Sequence, residues 1–230
     1  MSLELRGVSF THRGADPAAG RLLDGVDLSV GSGEVTGLSA PSGAGKSTLL
    51  RLAALMVPAD SGTVLINGRG FASGATVPRA VRQSVGMVFQ SPRAAADPRL
   101  RLDALVCAPL DFRDGALRPR PRHHAERLAE LTELAQLDAA LLHRYPHEVS
   151  DGQLQRAMVA RALALDPDVL ICDEPTAQLD AETTAAILGV LADCAAAGAA
   201  VLIASHDRAA LSRVADTMVD LSQINHASSA

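Results

Sequence analysis

The stretch "APSGAGKST", residues 40–48, holds the one lysine of a 230-residue chain; all its other basic residues, 21 with the lysine included, are arginines. A chain that uses arginine wherever either cation serves has kept lysine at position 46, so that position discriminates between them. Upstream, "EVTGLSA" (34–40) is an apolar segment of strand character. Downstream, "KSTLLRLAALM" (46–56) carries apolar residues at helical spacing and stops before Pro58. The order is strand, glycine-rich loop, helix. Such a loop turns successive backbone N–H groups into one concavity at the positive end of a helix dipole, which is a cradle for phosphate. A lysine at its rim reaches the outer phosphates as a compact point charge, where the planar fork of arginine is too bulky. Ser47 then offers its hydroxyl to a magnesium ion on those phosphates. Ala40 stands where the pattern G-x-x-x-x-G-K-[ST] has its first glycine, and alanine serves there only at negative φ. Alone, the stretch also fits an ordinary glycine-rich turn.

Two later segments bear on that choice. "VLICDEP" (169–175) is an apolar strand ending in Asp173 and Glu174. A carboxylate at the carboxyl end of a central parallel strand is positioned to hold magnesium, and the next one to polarise a water as general base. "HEVSDGQLQR" (147–156) has two readings. Ser150 with Gln153 three residues on is a helix capping box. Alternatively, Ser150, Gly152 and the helix start form a second phosphate site, which one chain needs only if it serves another subunit's nucleotide.

The frame is that of one α/β unit. At 48% hydrophobic residues the chain can bury a full core, and a net charge of -5 with interspersed signs argues against nucleic acid as a partner. "MSLELRGVSF" lacks the basic and apolar pattern of a signal peptide, and "CAAAGAAVLIA" (194–204) is too short to span a bilayer. Cys107, Cys172 and Cys194 are odd in number and widely spaced, which fits neither a disulfide framework nor a zinc site. Period-two segments predict strands in "LELRGVSFTH" (3–12), "LLDGVDLSV" (22–30) and "TVLINGRGF" (63–71), and a buried strand in "SVGMVF" (84–89). From 91 to about 165 only helical pieces follow, among them "AERLAELTELAQL" (125–137), with the turn-rich "FRDGALRPRPRHH" (112–124) between them. Strand–helix alternation returns in "DVLICDE", "AETTAAILGVLADCAAAG", "AVLIASH", "DRAALSRVAD" and "TMVDLS", the pattern of a parallel sheet covered on both faces.

Taken in order, these motifs resemble the ATP-binding cassette (ABC) ATPases, the nucleotide-binding subunits of membrane transporters. "PSGAGKST" resembles the Walker A loop, "VLICDEP" Walker B, and "VSDGQ" the signature usually written LSGGQ. Gln90 in "MVFQSP" matches the Q-loop, Asp180 in "AQLD" the D-loop, and His206 in "IASHD" the switch histidine. The resemblance implies a P-loop NTPase core with a RecA-like parallel sheet, an N-terminal antiparallel β subdomain, and an α-helical subdomain inserted at about 91–165. The ATPase domain would run over 1–222 and a flexible tail over 223–230. It implies ATP and Mg2+ as cofactors, with Pro41, Ser42, Gly43, Ala44, Gly45, Lys46, Ser47 and Thr48 on the phosphates. Ser47, Gln90 and Asp173 would hold the metal, and Glu174, His206 and Gln90 would carry out hydrolysis. Ser150, Gly152 and Gln153 would face the nucleotide of a second ATPase subunit, in a homo- or heterodimer bridged through Asp180. The further partners implied are transmembrane permease subunits and, for an importer, an extracellular binding protein. The place implied is cytoplasmic, peripheral on the inner face of the cell membrane.

Three positions depart from the family pattern. His12 stands where an aromatic side chain stacks on adenine, Ala40 replaces the loop's first glycine, and Asp151 replaces the first signature glycine. Pointing inward, Asp151 would repel a phosphate; facing solvent, it would only favour the helix dipole, and its place between Ser150 and Gly152 favours the solvent-facing case. "ADPR" (96–99) after the Q-loop and "YPHE" (145–148) before the signature resemble the peptide and nickel import branch. An exporter or a non-transport ABC ATPase is the alternative. The DNA-repair kind would need a long coiled coil between Walker A and the signature, and a P-loop kinase would lack the signature and the histidine.

Overall fold

The computed structural model describes residues 2–12 and 21–225. Two sheets organise it. The first is antiparallel, in the order β2-β1-β4-β5, from β1 (Leu3–Phe10), β2 (Leu23–Val30), β4 (Ser61–Ile66) and β5 (Arg69–Ala72). The single strand expected over 63–71 is corrected to the hairpin β4–β5, paired from Thr63↔Ala72 to Ile66↔Arg69. Its turn is Asn67-Gly68, at φ 51 and 75. Two successive left-handed residues match the twist of the flanking strands, and Asn-Gly is the pair that adopts them most readily. Gly62 lies where the β1–β4 register breaks between Arg6 and Ser9. At φ 86, a Cβ on it would sit 2.4 Å from the carbonyl oxygen of Gly7, so only glycine lets these backbones approach.

The second sheet is wholly parallel, in the order β6-β7-β8-β3-β9, from β3 (Val35–Ser39), β6 (Val85–Val88), β7 (Val169–Asp173), β8 (Ala200–Ala204) and β9 (Thr217–Asp220). β3, β7 and β8 are buried at every residue. Alternate side chains of β7 enter different cores. Leu170 and Cys172 pack in the cluster that contains Leu154, Met158 and Ile187; Val169 and Ile171 pack in the one that contains Leu49, Leu50 and Leu5. A sheet covered on both faces explains the unbroken apolar runs in the sequence.

Helices α1 (Lys46–Ala53), α2 (Arg79–Gln83), α7 (Ala181–Ala196), α8 (Arg208–Leu211) and α9 (Leu221–Ile224) connect or follow the strands. α1 ends three residues before the expected Met56. Leu55 takes φ 55, and the bonds Met56 N–H to Arg51 O (2.9 Å) and Leu55 N–H to Leu52 O (2.9 Å) close the end. That is a Schellman closure with leucine in the place glycine usually takes. Between β6 and β7 the chain forms only helices: α3 (Pro92–Ala95), α4 (Leu102–Arg113), α5 (Ala125–Leu134) and α6 (Asp151–Leu163), with single 3₁₀ turns. Leu102, Leu131 and Leu154 are fully buried there, each stabilising the packing by about 1.5–3 kcal/mol.

All three cysteines are free, and burial pushes the thiols up, to about 12 for Cys107 and about 11 for Cys194. They act as small apolar side chains. Of the expected tail, Asn225 is tied down: its side chain accepts from the Asp24 N–H (2.8 Å) and donates to Leu22 O (3.0 Å). Residues 226–230 lie outside the described residues.

Candidate functional site

The strand order sets β8 between β7 and β3, so the carboxyl ends of these three strands lie side by side. In a parallel sheet this edge is where ligands bind. From it emerge residues 40–45 after β3, Glu174 after β7, and Ser205 and His206 after β8.

Gly43 and Gly45 take φ 79 and 95, turning the loop so that Gly45 becomes the N-cap of α1. Among the described residues no side chain caps that helix. Its first N–H groups thus have neither an intrahelical partner nor, among the described residues, a side-chain cap, and they lie at the positive end of the dipole. Ala40 is not among the positive-φ residues, so the condition under which alanine can replace glycine is met. Lys46 is 6% exposed, and its Nζ donates to Ala40 O at 2.7 Å and Pro41 O at 3.2 Å. The ammonium thus hangs over the loop, with a third donor uncommitted among the described residues.

Asp173 and Glu174 are 4% and 8% exposed. Asp173 Oδ1 has no hydrogen-bond partner among the described residues. A buried carboxylate oxygen left this way is costly unless a cation or donor completes it. Glu174 sits at φ 48, which non-glycine residues seldom adopt, and its N–H donates to Ala204 O at 2.9 Å. Strain of that kind collects at functional sites. The turn brings Glu174 Oε1 within 2.6 Å of His206 Nε2, and Oε2 within 3.5 Å of Gln90 Nε2. The three residues expected to act together are thus in contact, although 84 positions separate Gln90 from Glu174.

Ser150 caps α6. Its Oγ accepts from the Gln153 N–H at 3.2 Å, and Gln153 Oε1 accepts from the Ser150 N–H at 2.9 Å, so the capping box is real. A Cβ on Gly152 would lie 3.2 Å from Thr183 Cγ2, so a small residue lets α6 lie close to α7. Asp180 caps α7 through the Thr183 N–H (2.8 Å) and hydroxyl (2.9 Å), bonds that hold its carboxyl below the usual range. Among the described residues no hydrogen bond or ion pair joins Ser150, Gly152 or Gln153 to residues 40–48. His12 is exposed and meets Phe10 edge-on at 5.2 Å; the segment 13–20 beyond it lies outside the described residues.

Asp151 faces solvent, the direction the sequence favoured. Its carboxylate is 56% exposed and pairs with Arg93 Nε at 2.6 Å. Arg93 also donates to Pro146 O (2.9 Å) and Val149 O (3.0 Å), clasping the turn before α6. Nothing in "SPRAAAD" announced that arginine, because its partners lie more than fifty positions away.

The profile of the ABC transporter family matches residues 23–177. The chain belongs to the ABC transporter family. The cassette is 37% identical over 217 residues to a protein of Brucella abortus (strain 2308) named "Putative peptide import ATP-binding protein", covering 91% of this chain and 63% of that one. It is 39% identical over 226 residues to the methionine import ATP-binding protein MetN of Ralstonia nicotianae, covering 95% of this chain and 61% of the relative. The cassette therefore spans less than two thirds of the length of these relatives. Among solved structures, a dimeric ATP-binding cassette in a post-hydrolysis state bound to ADP and Pi superposes with a TM-score of 0.83 at 27% identity, covering 95% of this chain and 93% of that one. The fold is that of a P-loop NTPase of the cassette type, its parallel and antiparallel sheets disposed as the sequence motifs imply.

Proposed function

We propose that the chain binds ATP with Mg2+ and hydrolyses it between two ATPase subunits, and that this powers a membrane importer. The observation that carries the reading is the contact of Glu174 with His206 and Gln90 at the sheet edge from which the phosphate loop emerges. Lys46 and the free N–H groups at the start of α1 would hold the β- and γ-phosphates, whose full charges attract the ammonium more strongly than the carbonyls of Ala40 and Pro41 do. The unpartnered Asp173 Oδ1 suits a cation, and Ser47, Gln90 and Asp173 are the residues that would hold Mg2+. When bound, the metal neutralises charge on the transferring phosphate. Glu174 accepts the proton of the attacking water, and His206, already seated on Glu174, orients it.

Among the described residues, Ser150 and the start of α6 make no bond to the phosphate loop of their own chain, which supports a composite site shared with a second subunit, as does the dimeric neighbour. Asp180 would bridge the two sites. His12, exposed beside Phe10, would meet the base. Permease subunits would hold the protein at the inner face of the membrane, since no helix among the described residues is long and apolar enough to cross one. The relatives' names support import, and "ADPR" with "YPHE" favour peptides, nickel or metal chelates as cargo, carried to the permease by a binding protein. Purified chain is expected to release phosphate from ATP only with Mg2+ present, EDTA abolishing the activity and added Mg2+ restoring it. Phosphate release indifferent to EDTA would refute the metal assignment, and no release at all would refute hydrolysis.

Asp151 tests the second site separately. Drawn to Arg93, it adds little unbalanced charge near a partner's phosphate, so Asp151→Gly is expected to leave turnover within about twofold. An exposed pair and a favourable first-turn charge each contribute about 1 kcal/mol or less, so melting temperature should fall only slightly. A several-fold rise in turnover would instead mark the residue as a brake on the site.

A further inference from the structure

Gln155 lies on α6 and is 2% exposed. Its Nε2 donates to the carbonyl oxygen of Pro175 at 2.8 Å, while its Oε1 has no partner. Turning the amide over would set oxygen against oxygen, so the donor's direction follows from the contact itself. Pro175 directly follows Glu174, the residue held at φ 48. Among the described residues, the bond from Gln155 is the only one to the Pro175 carbonyl. Five positions earlier on the same segment stands Ser150, about 7.5 Å away along the axis at 1.5 Å per residue. One rigid helix therefore carries both the cap that would face a second nucleotide and the amide that grips the corner bearing the base.

A buried amide with one end unsatisfied opposes folding. An apolar side chain of similar length would bring no orphaned acceptor of its own but would leave the buried Pro175 carbonyl without its donor, so stability alone does not select glutamine. Gln155 also lines a cleft of about 300 Å³ with Gln90, Arg93, Asp151 and Gln178, so it borders the contact between the Q-loop and α6.

We propose that Gln155 is a positioning residue for Glu174: through Pro175 it holds the carboxylate in place and ties it to the helix that presents Ser150. This rests on the reading of Glu174 as general base. Occupancy of the second nucleotide site would thereby bear on the first through a single hydrogen bond.

The test compares Gln155→Met and Gln155→Leu with the parent in steady-state ATPase and thermal unfolding, beside Glu174→Gln. Both changes remove the donor together with the unsatisfied Oε1, and both leave the Pro175 carbonyl without a partner among the described residues. The expected result is a fall in kcat of about tenfold with KM for ATP within about twofold, since a misplaced group loses rate rather than binding, and a melting temperature close to the parent's, because removal of the orphaned Oε1 offsets the Pro175 carbonyl left without its donor. Unchanged kcat in both variants overturns the proposal. So does a loss of kcat that tracks a lowered melting temperature in both, because that is the behaviour of a structural residue. Should one variant fail to fold, the other decides. If Glu174→Gln keeps its turnover, the base assignment fails and this role falls with it; if Glu174→Gln is inactive while the Gln155 variants are fully active, only the positioning role fails.

Discussion

Glu174→Gln is expected to lower ATP turnover by about 10²–10⁴-fold, the usual loss on removing a positioned general base, while leaving nucleotide binding nearly unchanged. The substitution conserves shape, and the amide can keep a hydrogen bond with His206, whose Nε2 lies 2.6 Å from the carboxylate. What it removes is the basic oxygen that takes a proton from water. Stability should be little affected, because the strained φ of 48 belongs to the backbone and persists in the variant. Single-turnover phosphate release measures the chemical step and calorimetry the binding. Near-parent turnover would eliminate Glu174 as the base.

The second large effect concerns Lys46. Lys46→Arg keeps the charge, yet it should raise the Kd for ATP by about 10- to 100-fold, about 1.4–2.8 kcal/mol. The ammonium is 6% exposed and hangs over the carbonyls of Ala40 and Pro41. A planar guanidinium needs more room and directs its donors within one plane, so it cannot occupy the same space over a tight loop. Calorimetric titration with ATP reads the change. An unchanged Kd would mean that the one lysine of the chain is not there for the phosphate.

Much of the fold was legible because it is written locally. Unbroken apolar runs announced β7 and β8, which are buried on both faces, and the glycines of "APSGAGKST" announced the loop, in which Gly43 and Gly45 turn left-handed. The hairpin at Asn67-Gly68 was equally local: the Asn-Gly pair inside "TVLINGRGF" is its signal, passed over in taking the segment as one strand. α1 ran long in the reading because Leu55 gives no hint that it will adopt φ 55. The site divides in the same way. Lys46, Asp173 and Glu174 stand in motifs whose spacing is short, and the structure sets them along one sheet edge. Arg93 and Gln155 could not be found by spacing, since their partners are carbonyl oxygens and a carboxylate 20 to 58 positions away, brought near only by the packing of α3 and α6. A glutamine in the buried run "LQRAMVARAL" was the one available signal for Gln155. The solvent-facing Asp151 followed from its place between Ser150 and Gly152, but its partner Arg93 did not.

The central claim is that one nucleotide is held by Lys46 of one chain and Ser150 of another. Light scattering of Glu174→Gln with ATP, with and without Ser150→Phe in the same chain, tests it most directly. Losing the Ser150 cap costs only about 1 kcal/mol of helix stability, so the doubly substituted chain should fold and bind ATP. The account predicts a dimer in Glu174→Gln that forms on adding ATP and disappears on adding Ser150→Phe, with ATP affinity of the monomer retained. An ATP-dependent dimer that survives Ser150→Phe, or a mass indifferent to ATP, would contradict it.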